Sequence, residues 1–165
     1  YFYERIGAIT LKFYIRTTQE IILSSPVLYM RRVGRYGAGN YRLMDTFKTW
    51  VKENHLYRED TVIYAIPMDD PEKAAPCQCR YDVCLPLPQH PNPSFRHMRC
   101  RTLEGGSYLV FQIPHTADAV QAAWQGCRFE LENLGYLLDD NRPIMERYPK
   151  RLVDEHICEL CVPIL

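Results

Sequence analysis

The sequence predicts an α/β (α+β) domain made of one βαββ unit used twice. Three observations carry the prediction: two stretches repeat the same order of elements, their closing strands match residue type for residue type, and a proline-rich join separates them. The first stretch runs "PVLYMRRVG", "GNYRLMDTFKTWVKENH", "DTVIYAIP", "CRYDVCLPL". The second runs "GGSYLVFQIP", "TADAVQAAWQGCRFELENLG", "RPIMERYP", "HICELCVPI". Duplication at this length points to two half-domains about a pseudo-twofold axis, each completing the other's core.

Each element has its own local reason. Residues 1–25 read as an N-terminal extension, with Ile9, Leu11, Phe13 and Ile15 alternating as in a strand; the opening "YFYERIGAITLKFYIR" lacks a methionine, which vector residues, processing or a fragment would each explain. Residues 26–165 form the main domain, in half-modules 26–88 and 104–165. The first helix places Leu43, Phe47, Trp50 and Val51 on one face, and the second places Val120, Trp124, Cys127 and Leu131. Thr116 with Asp118 suits a helix start and Gly135 a stop. The strands are rich in Val, Ile and Tyr between Pro and Gly. "YDVCLPL" and "CELCVPI" align Asp82 with Glu159, Cys84 with Cys161 and Pro86 with Pro163. Extending that alignment through "VIYAIP" and "IMERYP" pairs Tyr64 with Glu146 and Ile66 with Tyr148. Four prolines between Pro86 and Pro93 block regular structure at the join.

Bulk properties bound the function. The chain has 165 residues with 20 Lys+Arg against 20 Asp+Glu, so no basic surface for nucleic acid extends over it. The small basic cluster "YMRRVGR" comes without a helix-turn-helix pattern, and direct nucleic-acid binding is not expected. Seven cysteines, an odd count, argue against a secreted disulfide framework. With no signal peptide and no apolar run that would span a bilayer, the expectation is a reduced cytoplasmic protein without a membrane partner. Twelve tyrosines are the more informative excess, because each offers a flat apolar face with one polar tip.

The site candidates begin with Glu146 in "PIMERYP". On a strand Ile144, Glu146 and Tyr148 share one face, and Met145 and Arg147 the other. Such a face suits either solvent, with Glu146 paired locally to Arg147 or Arg142, or a semi-polar cavity. "CELC" in a strand lacks the helix N-terminus that a redox pair needs. "CQC" with Cys100, His90 and His97 has irregular spacing for zinc, so neither a metal nor another cofactor is expected. No Ser-His-Asp or Cys-His arrangement stands out, and no catalytic residue is assigned.

In order and spacing, "YMRRVGRYG", "RYDVCLPL", "GGSYLVF", "ENLGYLL", "PIMERYP" and "ELCVPI" resemble the GyrI-like small-molecule-binding family over about residues 27–164. That family includes the DNA gyrase inhibitory protein and the effector-binding domains of AraC- and MerR-type multidrug-responsive regulators. The chain departs from it at Arg32, where His is common, and at Arg35, where Pro is common. The resemblance implies two βαββ modules whose antiparallel sheets enclose a ligand cleft. It implies a buried glutamate facing cationic aromatic ligands among tyrosines and a tryptophan. Glu146 and Tyr148 match the Glu-x-Tyr strand, Trp124 an aromatic position of the second helix, and Glu159 the acid of the last strand. Tyr64 joins the ligand-binding candidates through the repeat alignment, and Tyr108 as a further strand aromatic. The expected function is non-enzymatic binding of hydrophobic, cationic aromatic molecules, for drug sequestration or effector sensing. Two alternatives stand beside it: hydrolysis of cyclopropane-type compounds by a pocket glutamate, and a gyrase-inhibitor-like interaction with a protein partner such as gyrase or a DNA-binding regulator.

Overall fold

The structure is a computed structural model that describes residues 12–87, 95 and 97–165. Its elements are β1 (Arg16–Ile22), β2 (Ser25–Val33), α1 (Ala38–Glu53), β3 (Val62–Pro67), β4 (Arg80–Pro86), β5 (Arg99–Leu103), β6 (Gly106–Pro114), α2 (Ala117–Asn133), β7 (Met145–Pro149), α3 (Lys150–Val153) and β8 (Ile157–Pro163). The eight strands form one antiparallel sheet in the order β1-β6-β8-β7-β3-β4-β2-β5. Reading outward from the centre, β7-β8-β6 mirrors β3-β4-β2, as a duplicated unit requires.

The two flanking strands exchange between halves. β1 leads into β2 yet pairs with β6, and β5 leads into β6 yet pairs with β2. Each link is only two residues long, Leu23–Ser24 and Glu104–Gly105, although it joins strands at opposite sides of the sheet. The sheet must therefore curl until both links meet. They do: Gly105 donates to Ser24 Oγ at 2.9 Å, and a Cβ on Gly105 would strike the backbone of Ile22 and Ser24. The alternation expected through Ile9 to Ile15 only partly coincides with this. Ile9 and Leu11 lie outside the described residues, Phe13 and Ile15 precede the strand, and β1 starts at Arg16. β5 formed within the segment read as an irregular join, because "RCRTL" shows no apolar alternation that would announce a strand.

Three cores result. Inside the curl lie Ile22, Val27, Tyr64, Cys84, Leu103, Tyr108, Met145 and Cys161. On the outer face α1 buries Phe47 and Val51 over β3 and β4, while α2 buries Ala123, Cys127 and Leu131 over β6 and β8. Thr116 caps α2 by accepting from Ala119 N at 3.1 Å, and Gly135 closes it in a left-handed conformation (φ +86°). Arg32 ties the entry of α1, donating to Asn40 Oδ1 at 2.6 Å and to the Arg35 carbonyl at 2.9 Å. No helix among the described residues is long and apolar enough to cross a membrane.

Candidate functional site

The strand register places Glu146 at the centre of the molecule. Cys84 sits opposite Tyr64 and Cys161 opposite Met145, so the symmetry mate of Tyr64 is Met145, and the mate of Ala65 is Glu146. Ala65 and Glu146 also face each other across the β3–β7 pair. The pseudo-twofold axis thus passes between them, on the outer face of the sheet and in the gap between α1 and α2. Matching the strands by sequence pairs Tyr64 with Glu146, one residue out of step with this register. On a strand a slip of one reverses every side chain, and Tyr64 accordingly points into the inner core.

Above Glu146 opens a cleft of about 1250 Å³. Its floor holds Glu146, Tyr148, Tyr81 and Ile144; its walls hold Met44 and Lys48 from α1, and Val120, Trp124 and Arg128 from α2. Strand parity brings Glu146 and Tyr148 to the same face, and helix periodicity brings Trp124 over them. Tyr148 OH donates to Glu146 Oε1 at 2.6 Å, and Trp124 Nε1 donates to Oε2 at 3.1 Å. Each carboxylate oxygen has one neutral donor, and no Lys, Arg or His among the described residues forms an ion pair with it. Burial raises the Glu146 pKa, and the bonds from Tyr148 and Trp124 oppose that rise. Tyr148 is held well above its usual value by burial and by the adjacent carboxylate, so it remains a donor. His115 lies over Tyr148 at 5.3 Å between ring centroids and is kept below its usual pKa, first by burial and then by Lys48.

The other candidates lie away from the cleft. Glu159 accepts from Arg147 Nε at 2.9 Å, and Arg147 also binds Glu20 at 2.6 and 2.9 Å, all on the inner face. Tyr108 is fully buried there, donating to the Glu104 carbonyl at 3.1 Å beneath the Arg142 guanidinium. Structure thus joins Glu146, Tyr148 and Trp124, and separates Tyr64, Glu159 and Tyr108 from them. The local pairing of Glu146 with Arg147 or Arg142 does not form: Arg147 faces inward and Arg142 binds Asp139 at 2.8 Å. Sequence reasoning missed Tyr81, Lys48 and His115, whose own segments carry no sign that they converge. Cys158 and Cys161 sit in the outer and inner cores respectively, with burial pushing both thiols up to about 12. Of the considered zinc ligands His90 lies outside the described residues, and no group of three or more His, Cys, Asp or Glu is placed to hold a metal among the described ones.

The fold has counterparts among known proteins. The solved C-terminal domain of EcmrR superposes with a TM-score of 0.65 at 13% identity, covering 91% of this chain and 97% of that one. Against EcmrR in its DNA complex the chain spans 57% of the partner's length, again at a TM-score of 0.65 with 12% identity over 90% of this chain. SAV2435 bound to tetraphenylphosphonium gives a TM-score of 0.59 at 12% identity, covering 92% and 94%. YosT, an SPbeta prophage-derived protein of Bacillus subtilis (strain 168) named as a candidate transcriptional regulator, is 36% identical over 151 residues, covering 91% of this chain and 99% of YosT. The sequence model of the GyrI-like small molecule binding domain matches residues 23–165. The chain belongs to the GyrI-like small molecule binding domain family.

Proposed function

We propose that the cleft binds hydrophobic aromatic cations, with Glu146 as their counter-charge, and that the protein serves effector sensing or drug sequestration. The observation that carries this reading is the carboxylate on the pseudo-twofold axis, bonded to two neutral donors and to no cation among the described residues. Ionised carboxylates are costly in apolar surroundings unless a partner compensates. A delocalised cation compensates the charge while stacking on Trp124, Tyr148 and Tyr81, which line the same space. The lining also carries seven carboxylates against four Lys and Arg, a field that draws cations in. The shared fold with SAV2435, solved with tetraphenylphosphonium, and with the DNA-binding EcmrR supports the ligand class and the sensing role.

Quenching of Trp124 fluorescence by tetraphenylphosphonium, with neutral triphenylphosphine oxide for comparison, tests it. Wild type should favour the cation, and Glu146→Gln should weaken cation binding at least tenfold, about 1.4 kcal/mol. Equal binding of both compounds to both proteins overturns the reading. A hydrolytic role would use the same Glu146–Tyr148 pair as base and orienting group. Recovery of intact ligand after prolonged incubation counts against it.

A further inference from the structure

The cleft is polarised from end to end. β3 and β7 run antiparallel, so the end of β3 lies beside the start of β7. The loops flanking that end supply Asp69, Asp70, Glu72, Asp139 and Asp140, five of the seven lining carboxylates. Helix α1 starts at the same end, because Tyr36 OH bonds the carbonyls of Asp69 and Arg80 at 3.1 and 2.7 Å. Lys48 stands ten residues into α1, about 15 Å further along the cleft. There it meets the opposite end, where Tyr148 pairs beside Ile63 and His115 lies over Tyr148.

Lys48 is half-buried and forms neither an ion pair nor a hydrogen bond among the described residues; Asp45, one turn earlier on the same helix, does not reach it. Burial lowers its pKa, with Lys52 adding to the effect and Asp45 opposing it. Its pseudo-twofold mate is Arg128, since Phe47 and Val51 of α1 match Cys127 and Leu131 of α2 in spacing and burial. By that symmetry Arg128 belongs to the end of the acidic loops, whereas Lys48 shares its end of the cleft with Tyr148 and with His115, whose pKa its charge helps to lower. An ammonium half removed from water without a partner is a place for an anion.

We propose that the cleft selects amphoteric aromatic molecules, holding their cationic group over Glu146 and a carboxylate or sulfonate at Lys48. This rests on the cation reading above and adds the second charge. A purely cationic ligand satisfies Glu146 and leaves Lys48 unpaired, while a zwitterion of matching length satisfies both.

Rhodamine B, a xanthylium cation with a free carboxylate, and its ethyl ester, which keeps the cation alone, make the test by fluorescence polarisation. Wild type should bind rhodamine B at least tenfold more tightly than the ester. Lys48→Met should bring the two within about threefold by weakening rhodamine B, and Lys48→Arg should keep the preference. Circular dichroism confirms that the variants fold; if Lys48→Met does not, Lys48→Gln serves in its place. Equal affinities in wild type, or an undiminished preference in the Lys48 variant, overturn the inference while a Glu146→Gln loss on both dyes would still uphold cation binding. If Glu146→Gln weakens neither dye, the cation reading itself fails.

Discussion

Replacing Asp82 by Asn should destabilise the protein far more than replacing its symmetry mate Glu159 by Gln, and neither change should reach the cleft. Asp82 is fully buried on the inner face; it takes Arg31 Nε at 2.6 Å, Arg31 Nη2 at 2.9 Å and Arg101 Nε at 3.0 Å. Two guanidiniums depend on this one carboxylate, and an asparagine would turn an NH2 toward one of them. Breaking a buried pair from one side costs about 3–5 kcal/mol. The arginine side chains keep 19% and 22% of their exposure and can recover some hydration, so the lower end of that range, about 3 kcal/mol, is expected. For a chain of this size that shifts Tm by roughly 6–12 °C. Glu159 receives one bond from Arg147, which retains both oxygens of Glu20 after Glu159→Gln, so about 1 kcal/mol is lost. Urea denaturation of both variants, with m-values compared, measures the difference. A loss below about 1 kcal/mol for Asp82→Asn, or a reversed order, would mean that the two guanidiniums do not depend on Asp82.

Three further outcomes follow from the same geometry. Glu146 has a raised pKa in the folded state, so its favourable contribution is complete below the ordinary value of 4.5 and is lost as pH rises through the folded value. Glu146→Gln should therefore gain stability relative to wild type as pH climbs from 4.5 upward, read by denaturation at several pH values; a constant difference contradicts the shift. Ala65→Leu, facing Glu146 across the strand pair with no exposed surface, should overpack the site by about 1–3 kcal/mol and reduce ligand binding, checked by melting and titration. Gly105→Ala should destabilise the crossing of the two links while leaving the affinity of folded protein for tetraphenylphosphonium unchanged, because Gly105 is not among the residues that line the cleft.

What the sequence revealed of the site follows from which periodicities are unambiguous. Glu146 and Tyr148 share a face by strand parity alone, and the structure keeps them there. Tyr64 went astray because "VIYAIP" and "IMERYP" can be matched on their final prolines, whereas the real register is set by pairing with β4 and β8 and differs by one. Glu159 and Tyr108 lie on strands buried on both faces, where no polar alternation marks which side looks at the helices. The repeat itself was visible, with Val27 opposite Pro86 and Tyr108 opposite Pro163 in equivalent positions. The exchange of β1 and β5 was not, because a two-residue link ordinarily announces a hairpin between neighbours. Lys48 and His115 come from different halves and meet only through the packing of α1 over the β7 end, which no local pattern encodes.

On the proposed function, Glu146 meets a cationic ligand as a carboxylate. Calorimetric titration with tetraphenylphosphonium at pH 4.5, in two buffers of different ionisation enthalpy, tests it most directly. Burial biases the free protein's Glu146 toward its protonated form, so binding should release more proton from wild type than from Glu146→Gln. Buffer-independent heat in wild type, with equal affinity in the variant, would contradict the claim.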